Sequence, residues 1–173
     1  MTLLDRFLGH DAWTTRQLLA ICAKLPDEVL DREYDIGHRT LRKTLHHIIN
    51  NMEIWSSLMA SENVDRTNGN QTVAGMEHRV SVAEARLKSI AQRTERLNAW
   101  DELWTDTLDD PPRKKSFGTA IAHIITHSMH HRAQVLYMLR LSGVTSLPEG
   151  DVFSWEGAIS EVGQVPPDHS GTA

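Results

Sequence analysis

Residues 116–141 read SFGTAIAHIITHSMHHRAQVLYMLRL. The run holds no proline, and Ile121, Ile124, Ile125, Val135 and Leu139 fall within one arc when each residue turns the chain by about 100°. That spacing predicts an amphipathic helix of roughly seven turns. Gly143 is placed for the left-handed residue that follows a helix C-terminus. A strand reading fails, because the apolar residues recur at three- and four-residue steps instead of alternating. A helix of this kind needs partners to bury its apolar face.

Three further segments supply them. The first runs from about Leu3 to Lys24, with Leu4, Phe7, Leu8, Leu18, Ile21 and Cys22 among its apolar positions, and Pro26 stops it. The second spans about Leu41 to Ala60, with Thr40 as N-cap. The third is expected to begin at Ser81, where Ser81 and Glu84 have capping-box spacing. It runs to about Leu108, ahead of Asp109-Asp110-Pro111-Pro112. Asp27 to Thr40 reads as a connector broken at Gly37, and Ser61 to Gln71 as a polar surface loop. No stretch competes as a strand. These features predict an all-α four-helix bundle, whose long loops suit crossover connections. One domain is expected over residues 1–160, with a flexible tail over 161–173.

The totals exclude several function classes. A chain of 173 residues suits one domain. Eighteen Lys+Arg against 23 Asp+Glu leave a formal charge of −5, without the basic face that phosphate backbones require. Arg113, Lys114 and Lys115 make a short basic run that a solvated loop explains. No nucleic-acid partner is expected. Apolar stretches are too short to span a bilayer, and Met1 to Asp11 is no signal peptide, so the expectation is a soluble cytoplasmic protein with no membrane contact. One cysteine against ten histidines rules out a disulfide framework and a cysteine-rich zinc module. Cys22, among apolar residues, reads as packing. Any metal would have to sit on nitrogen ligands.

Four of the histidines, His123, His127, His130 and His131, fall within nine residues. With His123 set at 0°, His127 lies near about 40° and His131 near about 80°, on the flank of the apolar face, whereas His130 points away at about 340°. On the second helix His47 shares an arc with Ile54 and Leu58, while His46 lies in the polar gap with Asn50, Glu53 and Ser57. His47, His127 and His131 therefore face inward together. Imidazoles at i and i+4, joined by a third from a facing helix, suit a metal site with an open position. Hydrogen-bonded core histidines are the other reading of the same pattern, and the spacing leaves both open. His10, His38, His78 and His169 are expected to be solvent-exposed or locally bonded. The His-Glu-x-x-His helix, the paired Glu-x-x-His of di-iron bundles, the phosphate-binding loop and the Gly-x-Ser-x-Gly elbow are all missing.

Three stretches carry a resemblance to a known family. They are Asp11-Ala12-Trp13; Thr44-Leu45-His46-His47-Ile48 with Glu53 and Trp55; and His123 to Gln134, which is close to a His-x-x-x-His-Arg-Gly-Gln signature. Over about Leu3 to Trp155 the chain resembles the DinB/YfiT-like superfamily of metal-dependent four-helix proteins. Ala133 stands where that signature has glycine. The resemblance implies His47, His127 and His131 as ligands of a divalent ion, zinc or nickel foremost. It also implies a homodimer and chemistry such as thiol S-transfer, isomerisation or hydrolysis, with a low-molecular-weight thiol as co-substrate. Glu53 and Gln134 are candidate supporting groups, with a solvated surface charge the plainer account of Glu53. His130 and Arg132 read as exposed helix residues. The five tryptophans read as core and dimer-interface residues. The alternative function is a non-enzymatic stress-response bundle that binds a partner.

Overall fold

The computed structural model describes residues 1–64, 67 and 69–162. In chain order the elements are α1 (Leu3–Cys22), α2 (Asp27–Leu30), α3 (Leu41–Met59), α4 (Val73–Leu97), β1 (Leu103–Asp106), β2 (Arg113–Ser116), α5 (Phe117–Leu141) and α6 (Val152–Val162). The four long helices form the expected all-α bundle. α3 packs on α4 and α5, and α1 packs on the same two helices, so α1 and α3 sit across a diagonal. The chain crosses that diagonal between α1 and α3, through α2 and the strap that follows it. It crosses the other diagonal between α4 and α5, through a β-hairpin.

Capping residues set the helix bounds. The Thr2 hydroxyl accepts from Asp5 N–H in a reciprocal capping box, Thr40 caps α3 through Lys43 N–H, and Ser116 caps α5 through Thr119 N–H. Gly143, at φ 91°, closes α5: its N–H reaches the Arg140 carbonyl and that of Val144 reaches Leu139, both at 3.1 Å.

Three expectations need correction. The third long helix starts at Val73, eight residues before Ser81, because Thr72 is its cap and accepts from Gly75 N–H. Ser81 lies inside it, donating to the Glu77 carbonyl. It also ends at Leu97, where Asn98 turns left-handed at φ 50°. Residues 103–106 and 113–116, expected as helix and loop, form an antiparallel hairpin with Leu103 opposite Ser116. Finally, α6 was not foreseen. Trp155 seats it against Gly9 of α1. Residues 163–173, which include His169, lie outside the described residues.

The core is two apolar clusters. One gathers Leu18, Leu45, Ile48, Val80, Val135 and Met138; the other gathers Leu8, Met52, Leu87, Ile121 and Ile124. A buried polar layer lies between them along α1 and α5, made of Asp11, Thr14, Thr15, Ser128, His131 and Arg132. Cys22, fully buried in the first cluster, has its thiol pushed up to about 12 by desolvation, as a packing residue should. No helix among the described residues is long and apolar enough to cross a membrane.

Candidate metal centre

The histidines gather where α3 passes α5 at the level of the polar layer. One turn of α5 separates His127 from His131, so both rings leave the same flank, and His47 meets them from α3. The Nε2 atoms of His47 and His127 stand 3.0 Å apart. Ring centroids are 4.8 Å apart for His47–His127, 4.7 Å for His47–His131 and 4.4 Å for His127–His131. Two nitrogens bound to one tetrahedral ion at 2.0–2.1 Å stand about 3.3 Å apart, so the spacing fits a shared ion.

A fourth ring joins them. His38, expected to be exposed or locally bonded, is half-buried against His47 at 3.7 Å between centroids and lies 5.2 Å from His131. His38, His47 and His131 can each offer a ring nitrogen such that the three lie within 4.8 Å of one another, a group that could hold a metal. No spacing signal marks it, because His38 is on an irregular connector where helical angles say nothing.

Burial and crowding keep the His38, His47 and His127 rings neutral. Desolvation first, then the neighbouring rings, depress His47 to about 4 and His127 to about 3, and desolvation lowers His38 as well. Neutral imidazole is the form that binds metal. Gln134 fixes one ring: its Oε1 lies 2.8 Å from His131 Nδ1, so that nitrogen carries the proton and Nε2 is left to the cluster. The other end of the same amide, Nε2, lies 3.0 Å from His130 Nε2. The Nδ1 of His127 is buried with no hydrogen-bond partner among the described residues.

The remaining singled-out residues are spread around this centre. His123 is exposed at the rim, in ring contact with both His127 (5.3 Å) and Trp55 (5.6 Å). Trp55, Lys115, Thr119, Ala120 and His123 line a pocket of about 200 Å³. Lys115 lies over the Trp55 ring at 4.5 Å and pairs with Asp106. His46 turns away from the cluster, with its Nδ1 3.0 Å from Arg79 Nη1. Glu53 is not a free surface charge: Arg79 of α4 donates to it through Nε at 2.9 Å and also through Nη2. Its carboxylate is thus committed to the α3–α4 contact and is no supporting group for the clustered rings. Arg132 is buried, not exposed, and its guanidinium pairs with the equally buried Asp11. His10 is also buried, with Nε2 2.7 Å from the Gly150 carbonyl, whereas His78 is exposed.

No curated protein matches the chain. The family comparison covers the bundle, all four clustered histidines, Gln134 and the Asp11–Arg132 pair. A model of the DinB family matches residues 1–156, and the chain belongs to that family.

Proposed function

We propose that the protein holds one divalent ion on His47, His127 and His131 and uses it in thiol-transfer, isomerisation or hydrolytic chemistry on a small molecule. The observation that carries this reading is the 3.0 Å approach of the His47 and His127 Nε2 atoms beside a His131 ring oriented by Gln134. A zinc or nickel ion there would act as a Lewis acid, lowering the pKa of a bound water or thiol. The donor set fits, being all nitrogen and largely desolvated, with His47 and His127 held neutral at pH 7. His131 is held in the tautomer that offers Nε2, and His127 and His47 present theirs from facing helices.

On the substrate side, the pocket beside His123 offers the Trp55 ring as an apolar wall, and His123 stands at its edge as a group that can hold or pass a proton. The homodimer belongs to the same reading. Met129, Tyr137 and Leu141, each about half exposed or more, line the outer face of α5 opposite its buried residues and suit such a contact.

The deciding experiment is elemental analysis of untagged protein as purified, compared with a His127→Ala/His131→Ala variant. The expected result is close to one zinc or nickel per chain in the parent and none in the variant. Metal-free parent protein, or full retention by the variant, sinks the reading.

A further inference from the structure

His38 reaches the cluster on a backbone that holds it in place. Asp11 and Arg132 are tied up with each other and Glu53 with Arg79, but among the described residues the His38 side chain has no such alternative partner beyond the rings of His47 and His131. Its two neighbours are both left-handed, Gly37 at φ 52° and Arg39 at φ 70°. Arg39 N–H donates to the Ile36 carbonyl at 2.9 Å, and Thr40 N–H donates to the His38 carbonyl at 2.9 Å, which closes a three-residue turn around Arg39. A non-glycine residue at such a φ is strained, and that kind of strain concentrates where a side chain must be aimed. The strap is pinned elsewhere too. Tyr34 N–H donates to the Arg39 carbonyl at 2.7 Å, and the Tyr34 hydroxyl meets Ser142 Oγ at the end of α5.

The strap also lies tight against the residue that orients His131. A Cβ on Gly37 would fall 2.1 Å from Gln134 Oε1 and push aside the amide that orients His131, and the left-handed φ disfavours any other residue there as well. One glutamine thus faces the strap on one side and His131 on the other. The 5.2 Å between His38 and His131 is the separation of about 5 Å expected for two imidazoles on one tetrahedral ion, while the 3.7 Å stack on His47 would have to open by more than about 1 Å on loading.

We propose that His38 is a fourth nitrogen ligand, aimed by this strap into the coordination position that three helix-borne histidines leave open. The resting centre is then closed, and an anionic donor, sulfur or oxygen, enters by displacing a neutral imidazole on a short strap. This rests on the three-histidine reading above, and the test separates the two.

Cobalt(II) is titrated into untagged metal-free protein and followed by its visible absorption, with sodium azide as the anionic probe. The parent is compared with His38→Ala and His38→Phe, the latter keeping a ring against His47 while removing the nitrogen. Far-UV circular dichroism verifies that each variant folds. Removing even an outer partner of a metal-bound histidine costs 10–100-fold in affinity, so losing a direct ligand should weaken cobalt binding by about tenfold or more. The parent should show the intense bands of a four-coordinate centre and little response to azide. Both variants should show weaker bands that azide shifts. If His38→Phe matches the parent in affinity, spectrum and azide response, the His38 proposal is overturned and the three-histidine site stands. If the parent takes up no cobalt, both fall.

Discussion

Arg132 follows directly after a clustered histidine, yet its side chain goes the other way, into the bundle, to Asp11. With His123 at 0°, position 132 falls near about 180°, inside the apolar arc of α5. The sequence therefore contained the signal, a charge on a buried face, and the expectation of an exposed residue overlooked it. A charge in that position needs a partner, and Asp11 supplies it from α1, with Thr15 Oγ1 and the Asp11 carbonyl also within reach of Arg132 Nη1. Asp11→Ala leaves the guanidinium buried and unpaired and should cost about 3–5 kcal/mol. Replacing both partners with apolar residues, Asp11→Leu/Arg132→Met, should cost much less, since the desolvation of both charges is removed together. Urea denaturation of the three proteins measures this; equal losses in the single and double variants would show that the pair does not act as a unit. The inward trio of histidines was legible because it sits on long regular helices. His38 and Arg79 were not, because one rides an irregular strap and the other acts through a helix whose bounds the sequence reading misplaced.

Among the elements, spacing and structure part where regular spacing is short or absent. Val73, Met76, Val80, Ala83, Leu87 and Ala91 recur at steps of three and four, and all but half-buried Val73 are buried, so the true start of α4 was present in the pattern. The Ser81–Glu84 capping-box spacing lies inside that helix and caps nothing, since Ser81 donates to the Glu77 carbonyl. The hairpin strands are four residues each, too short for alternation to register, although Trp104 and Asp106 do point inward while Leu103 and Thr105 point out. α6 is held on α1 by contacts that no periodicity reveals, the Arg6–Glu156 ion pair and the seat of Trp155 on Gly9. A Cβ at Gly9 would lie 2.6 Å from Cζ2 of Trp155, a ring that is itself buried and has no room to give. Gly9→Ala should therefore lift α6 from α1, at about 1–3 kcal/mol, the usual cost of overpacking a filled site. The readout is a red shift of tryptophan emission and faster proteolysis within residues 150–162, with the rest of the bundle intact. Unchanged emission and protection would mean that the helix does not depend on this seat.

Across the whole molecule, the histidines gathered around the α3–α5 crossing set how the protein responds to acid. Unfolded histidines take up protons near pH 6.5, whereas His47 and His127 in the metal-free fold hold out to about 4 and about 3, and His38, His46 and His123 are lowered in the same direction. Between those values the unfolded chain binds protons that the native chain does not, so stability falls as pH falls through that window and is unaffected by these rings above it. The carboxylates held low by their partners, Asp31 by Arg42 and Glu33 by Arg39, add their own loss at lower pH, which leaves about pH 4.5–6.5 to the histidines. The urea midpoint of metal-free protein should accordingly be flat above pH 7 and decline from about 6.5 downward. His47→Phe/His127→Phe should show a shallower decline across that window, because two of the reluctant rings are gone. A bound ion stabilises the native state further and competes with the same protons, so loaded protein should hold its midpoint to lower pH before losing both metal and fold. An identical pH slope in the variant and the parent would show that the histidine cluster carries no share of the acid sensitivity.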